Sequence, residues 1–63
     1  MSMKIKDLYK MLDNFYGLKG LTLVDGDDYI MYTIESLGMC YLEKSNIDIV
    51  KFTWENKYLT VYI

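Results

Sequence analysis

Apolar residues recur with a helical period along the first part of the chain. From Ile5 to Tyr16 they fall three or four positions apart, and charged or amide side chains fill most of the positions between them. This stripe predicts an amphipathic helix over about 3–16 that packs on a core. Ser2 is the candidate N-cap, and Gly17 is the candidate left-handed stop. The stripe consists of Ile5, Leu8, Tyr9, Leu12, Phe15 and Tyr16.

After Gly20 the period changes to two, which indicates β-strands. Short separators rich in Gly, Asp, Asn and Ser divide this part of the chain into runs. Because a parallel pair needs a crossover of a dozen or more residues, we expect neighbouring runs to pair antiparallel. The predicted strands are 21–24, 29–35, 39–44, 49–54 and 58–63.

Together the two patterns predict one α+β domain over residues 1–63. Its N-terminal amphipathic helix packs on one face of a four- to five-stranded antiparallel β-meander. A chain of 63 residues buries only about 60% of its unfolded surface, so its stability is marginal and self-association is one way to raise it. Cys40 is the only cysteine and there is no His, so we expect a buried apolar thiol, no internal disulfide and no zinc-type site.

Strand alternation separates the strand residues into two faces. One face is uniformly apolar and should lie against the helix; it holds Ile30, Tyr32, Ile34, Cys40, Leu42, Val50, Phe52, Trp54, Leu59, Val61 and Ile63. A single helix covers only one side of a sheet, so the other face should be open to solvent or to a partner. That face is rich in Tyr and Met, which are enriched in protein interfaces, although Tyr is also an ordinary strand residue. The predicted partner-binding residues are Tyr29, Met31, Met39, Tyr41, Tyr58 and Tyr62.

The densest acidic cluster lies between the first two predicted strands, at Asp25, Asp27 and Asp28. With Gly26 it forms a strong hairpin-turn signal, and its carboxylates can also present negative charge to a basic protein surface. The spacing does not fit a calcium-binding loop, which needs its Gly and its final Glu at other positions. We therefore predict a turn, with an acidic partner-binding loop as the functional alternative and no metal.

The sequence offers little material for catalysis. Without His the usual general base near neutral pH is missing, and Cys40 has no base partner to form a thiolate. We predict a protein that is not an enzyme and has no cofactor. Nucleic-acid binding is disfavoured because the net charge is −2 and Arg is absent. Its candidate residues are the lysines of the first segment, Lys4, Lys6, Lys10 and Lys19.

Composition suggests a source and a compartment. The chain lacks Ala, Arg, Pro, Gln and His, a bias typical of AT-rich genes, so we predict a low-GC bacterium or one of its phages or mobile elements. In composition and size alone, the chain resembles the small acidic Tyr-rich proteins by which such elements block a host protein. The sequence shows no signal peptide and no membrane span, which predicts a cytoplasmic protein with no membrane partner.

The function that these observations predict is a small non-catalytic module that inhibits or modulates a host protein. It would bind through the Tyr/Met sheet face and the acidic hairpin, and a host nucleic-acid-binding protein is one candidate partner. Two alternatives remain open. One is a homodimeric structural or regulatory protein that buries the same face, and the other is a small nucleic-acid-binding regulator that uses the lysine-bearing helix.

Overall fold

The computed structural model describes residues 3–63, so Ser2, the predicted helix cap, lies outside the described residues. Two short helices pack on one face of a four-stranded sheet, which confirms the predicted α+β class with an N-terminal helix on the sheet. The elements are β1 (Met3–Lys4), α1 (Ile5–Met11), β2 (Gly20–Asp25), β3 (Asp28–Thr33), α2 (Leu37–Lys44), β4 (Asp48–Ile49), β5 (Lys51–Glu55) and β6 (Tyr58–Tyr62), with 3₁₀ turns at Asp13–Phe15 and Ile34–Ser36.

The large sheet is mixed, in the order β3-β2-β6-β5. Its outer pairs, β2–β3 and β5–β6, are antiparallel hairpins, but the central strands β2 and β6 run parallel. The predicted all-antiparallel meander is therefore wrong at the centre of the sheet. Between β3 and β5 the chain contains a helix, and this longer connection allows β6 to return beside β2 in the same direction.

The predicted strand 39–44 is wrong, because these residues lie in α2. Cys40 is buried while Leu37 and Tyr41 are half-buried, so the side chains that face the core are three or four residues apart, as in a helix. In so short a run the same apolar residues also fit a two-residue alternation. Met39 and Leu42 point away from the core and are exposed.

The predicted helix 3–16 is shorter at both ends, since Met3 and Lys4 form β1 and α1 ends at Met11. Asp13, Asn14 and Phe15 have φ of 52°, 57° and 59°, so the chain makes a left-handed turn there. Asp and Asn tolerate this conformation better than other non-glycine residues. The turn still buries Phe15, but it leaves Tyr16 83% exposed, outside the predicted stripe.

Short contacts hold the ends of the helical layer. The carboxylate of Asp7 accepts a hydrogen bond from the main-chain N–H of Lys4 at 2.9 Å, at the start of α1. The two-residue strands β1 and β4 pair antiparallel, and the Lys4 ammonium lies 2.7 Å from a carboxylate oxygen of Asp48. The predicted strand 49–54 is thus divided, since Ile49 belongs to β4 and β5 begins at Lys51.

The core lies between the helices and the inner face of the sheet. Leu21 and Leu23 of β2 and Leu59 and Val61 of β6 are buried there, together with Ile5, Leu8, Phe15, Leu18, Cys40 and Ile49. Five residues of the predicted apolar set are instead exposed: Ile30, Ile34, Leu42, Val50 and Trp54. Ile34, Leu42 and Val50 occupy a 3₁₀ turn, the outer side of α2 and the bend before β5, where strand alternation no longer determines direction. Ile30 and Trp54 lie on the outer strands β3 and β5, which the helical layer covers only in part.

Candidate protein-binding surface

The sheet face opposite the helices is uncovered by any element of residues 3–63. Because paired residues point to the same side of a sheet, the registers of the four strands define this surface directly. We call it the open face. It consists of Gly20, Thr22, Val24, Tyr29, Met31, Thr33, Lys51, Thr53, Glu55, Tyr58, Thr60 and Tyr62.

The structure brings four of the predicted binding residues together on the open face. Tyr29 and Met31 lie on β3 and are 69% and 78% exposed, and Tyr58 on β6 is 56% exposed. Tyr62, also on β6, is half-buried. Two strands thus present large side chains with apolar area to solvent on one side of the sheet.

One row across the open face shows how these side chains pack. Lys51, Tyr62, Val24 and Tyr29 follow one another across the four strands. Val24 is only 9% exposed although it lies outside the core cluster, so its larger neighbours shield it. The Lys51 ammonium lies 4.7 Å from the centre of the Tyr62 ring, within cation–π range. The middle of this row, Val24 and Tyr62, is therefore buried or half-buried, whereas Lys51 and Tyr29 at its ends are exposed.

A shallow groove of about 240 Å³ opens beside this row. Among the residues that line it are Gly20 and Thr22 of β2, Met31 and Thr33 of β3, and Tyr58 of β6. A Cβ atom at Gly20 would lie 3.3 Å from two carbons of the Tyr58 ring, so glycine lets this ring lie close to the strand. The surface predicted from the sequence contains no residue of β2. Alternation within 21–24 could have added two, because Thr22 and Val24 must point outward if Leu21 and Leu23 point to the core.

Met39 and Tyr41 do not belong to the open face. Both lie on α2, which packs on the opposite side of the sheet. The Tyr41 ring is 4.3 Å from the Tyr9 ring, centroid to centroid, and Tyr9 in turn lies 5.1 Å from Phe15. The predicted position of Met39 and Tyr41 on the same sheet face as Tyr29 is wrong, because 39–44 forms a helix and not a strand. A second groove, also about 240 Å³, lies beside this aromatic group.

The acidic hairpin lies at one end of the open face. Asp25 and Asp28 pair as the last residues of β2 and β3, and Gly26 has a φ of 60° in the turn between them. This is the predicted hairpin turn. Asp25, Asp27 and Asp28 are all exposed, and within residues 3–63 the ion pair is the one between Lys4 and Asp48. The hairpin carboxylates are therefore available to an external cation.

One of the four candidate lysines of the first segment is already paired within the protein. The Lys4 ammonium binds the Asp48 carboxylate and also donates to the main-chain carbonyl of Asn46 at 3.3 Å. Lys6 is half-buried, while Lys10 and Lys19 are exposed. This pairing reduces the positive potential that a nucleic-acid backbone would meet at the helix.

The titratable groups with shifted pKa values do not converge on a reaction site. Burial raises the pKa of the Cys40 thiol to about 11, and burial is also the main cause of the raised pKa of Tyr32. Hydrogen bonds from its own main chain and from Thr33 lower the pKa of the exposed Glu35 carboxyl. Within residues 3–63 no group of three or more Cys, Asp or Glu is placed to hold a metal ion. Neither α1 nor α2 has the length and apolar character that crossing a bilayer requires.

Comparison with known proteins identifies no relative. The chain matches no family model, no curated protein and no solved structure.

Proposed function

We propose that this chain is a small non-catalytic module that binds another protein through its open face. The observation that carries the proposal is the grouping of Tyr29, Met31 and Tyr58, all strongly exposed, on a sheet face that no element of residues 3–63 covers. Exposed apolar clusters are uncommon on soluble domains and mark interaction sites. Tyr and Met suit such sites, since Tyr gives a large contact area with few rotatable bonds and the flexible Met side chain can fit the shape of its partner.

The acidic hairpin adds negative charge beside this surface. Asp25, Asp27 and Asp28 lie between Val24 and Tyr29 in the chain, and alternation directs the side chains of Asp25 and Asp28 away from the open face, so a partner would meet this charge at the end of the sheet. This charge favours a partner with a basic rim, such as the functional surface of a nucleic-acid-binding protein. A phage or mobile-element product that inhibits such a host protein in the cytoplasm fits this combination of apolar face and acidic edge.

Three forms of the chain test the proposal by quantitative affinity capture from lysate of cells that produce it. They are the wild type, the double variant Tyr29→Ser/Tyr58→Ser, and the control Tyr16→Ser, which removes an exposed tyrosine outside the open face. We expect the wild type and the control to capture the same host protein in equal amounts. The double variant should capture at least about tenfold less of that protein, because aromatic anchors dominate interface energy.

Circular dichroism checks that all three forms are folded. Removing exposed tyrosines should leave the thermal midpoint nearly unchanged. If the three forms retain the same proteins in the same amounts, the open face is not the binding surface.

A further inference from the structure

Within residues 3–63, no strand pairs with the outer edge of β3. Its six residues pair one-to-one with β2, and a two-residue turn joins Asp25 to Asp28. Such a turn closes on a hydrogen-bonded pair, and hydrogen-bonded pairs alternate with non-bonded ones along an antiparallel ladder. Residues 28, 30 and 32 therefore direct their N–H and C=O groups to β2. Tyr29, Met31 and Thr33 direct theirs to the outer edge.

At one end of this edge, a side chain caps the outward main-chain groups. The Thr33 N–H donates to the Ser36 hydroxyl at 2.8 Å, and that hydroxyl lies 3.3 Å from the Thr33 carbonyl. This contact agrees with the outward direction of the Thr33 main chain. No side chain caps Tyr29 or Met31 in the same way within residues 3–63. The open part of the edge is thus a short segment around Tyr29 and Met31, without the proline, lysine or bulge that usually protects an outer strand.

The charges on β3 and on the chain segments that flank it have one sign. Residues 20–43 contain no lysine, whereas carboxylates precede β3 at Asp25 and Asp27, begin it at Asp28 and follow it at Glu35. Lys19 lies on the open-face side, where it lines the groove with Met31 and Thr33. The other outer strand, β5, begins with Lys51 and ends with Glu55, so it favours neither sign. A strand that docks on β3 therefore gains from positive charge at its ends, and β5 offers no such selection.

The same charges argue against a second copy of this chain as the occupant. If two β3 strands paired antiparallel about Met31, the acidic hairpin of each copy would approach Glu35 of the other. Like charges facing each other across strands are destabilising. The occupant that fits is an extended segment whose short uncharged centre is flanked by Lys or Arg.

We propose that β3 is a strand-docking edge, on which a partner protein adds an extended segment with basic flanks. The inference rests on the proposed function and specifies the partner. Main-chain hydrogen bonds to Tyr29 and Met31 supply the pairing, and the flanking carboxylates select the charge. Because the side chains of Tyr29 and Met31 lie on the open face, the docked segment would continue that face beyond β3.

Two synthetic peptides of about nine residues probe the edge, both with an alternating Val/Thr centre. One has Lys at both ends and the other has Glu at both ends. In amide NMR spectra of the full chain, the Lys-ended peptide should shift the resonances of Tyr29 and Met31. It should bind at least about tenfold tighter than the Glu-ended peptide at low salt, and this preference should decrease as salt rises. Hydrogen exchange of the free chain should be fast at Tyr29 and Met31 and slow at Ile30 and Tyr32.

Two substitutions at Met31 separate docking on the edge from docking on the face. Met31→Ser removes the side chain and keeps the N–H, whereas Met31→Pro also removes the N–H. Proline is tolerated at an outward position of an outer strand, because no bond to β2 is lost. Binding of the Lys-ended peptide should persist within about threefold in Met31→Ser and fall at least about tenfold in Met31→Pro.

If Met31→Pro does not fold, a variant with reversed charge beside β3 tests the same inference. In Asp28→Lys/Glu35→Lys the Lys-ended peptide should lose its advantage and the Glu-ended peptide should bind about as tightly. The inference is overturned if neither peptide shifts Tyr29 or Met31, or if both peptides bind equally. Shifts confined to Tyr58 and Tyr62 would reject the edge and retain the open face. Failure of the open face would appear separately, in the capture experiment with Tyr29→Ser/Tyr58→Ser.

Discussion

Cys40 is the group in which burial and ionisation are most directly coupled. It is fully buried in the core, and burial raises its pKa from 9.0 to about 11. The unfolded chain therefore releases the thiol proton at lower pH than the native protein does. Between pH 9 and pH 11 the unfolded state gains stability relative to the native state, and above about pH 11 the difference becomes constant.

We therefore expect urea unfolding free energies of the wild type to fall as pH rises from 9 to 11. Cys40→Ala should be less stable near neutral pH by about 1 kcal/mol, because it leaves a small cavity. Its free energy should nevertheless fall less steeply over the alkaline range. Tyr32, whose pKa is raised mainly by burial and in part by Cys40, contributes less in Cys40→Ala, which reduces the alkaline slope of the variant further. Parallel curves for the two proteins would mean that the Cys40 thiol ionises as readily in the native state as in the unfolded chain.

The left-handed turn at Asp13, Asn14 and Phe15 could not be predicted from the pattern of apolar residues. The apolar period continues through Phe15 and Tyr16, so it predicted a helix to that point. Asp and Asn permit a left-handed backbone without requiring it, and Phe15 adopts it because the turn carries its ring into the core. Tertiary packing thus decided a boundary that local propensity could not.

Among the elements, α2 determines both the topology of the sheet and the composition of the open face. A run of mixed apolar residues from Leu37 to Lys44 satisfies both a two-residue and a 3.6-residue period. Assigned to a strand, it placed Met39 and Tyr41 on the sheet face and required a meander. As a helix it supplies the crossover for the parallel β2–β6 pair and moves both residues to the other side of the molecule.

The helical position of Tyr41 has a consequence for stability. Its half-buried ring contacts Tyr9 at 4.3 Å in the layer that joins α1 and α2. Tyr41→Ala should lower the unfolding free energy by about 2 kcal/mol through lost packing and the lost aromatic pair. Met39→Ala, at an exposed position of the same helix, should change it by no more than about 0.5 kcal/mol.

Thermal denaturation followed by circular dichroism measures both variants. In a domain of this size the loss at Tyr41 corresponds to a midpoint lower by roughly 10 °C. An unchanged midpoint for Tyr41→Ala would mean that the tyrosine is not packed between the helices. It would then return to the set of candidate binding residues.

At the scale of the whole molecule, the sequence predicted the α+β class, the N-terminal helix and both hairpins, because these depend on local periodicity and turn residues. It also predicted that Tyr29, Met31, Tyr58 and Tyr62 share one face, since alternation within each strand is sufficient for that. It could not predict that β2 and β6 are neighbours. Strand order depends on contacts between distant segments, and the identity of α2 had to be known first.

The charges at the β3 edge lead to one prediction about assembly, which concerns whether the molecule pairs with a second copy of itself. Pairing two copies through β3 would bring carboxylates together, and the proposed partner carries the opposite charge. We therefore expect a monomer by sedimentation and light scattering over a roughly hundredfold range of concentration, with a thermal midpoint that does not rise with concentration.

A dimer would change the assignment of the surface. If Tyr29→Ser/Tyr58→Ser converted that dimer to monomers, self-association would bury the open face, and the homodimer would become the preferred function. The search for other partners would then turn to the helical layer and the acidic hairpin, which such a dimer could still expose. A monomer in both proteins leaves the exposed apolar area of Tyr29, Met31 and Tyr58 without a partner in the molecule itself. Under the proposed function, that area is the surface that another protein buries.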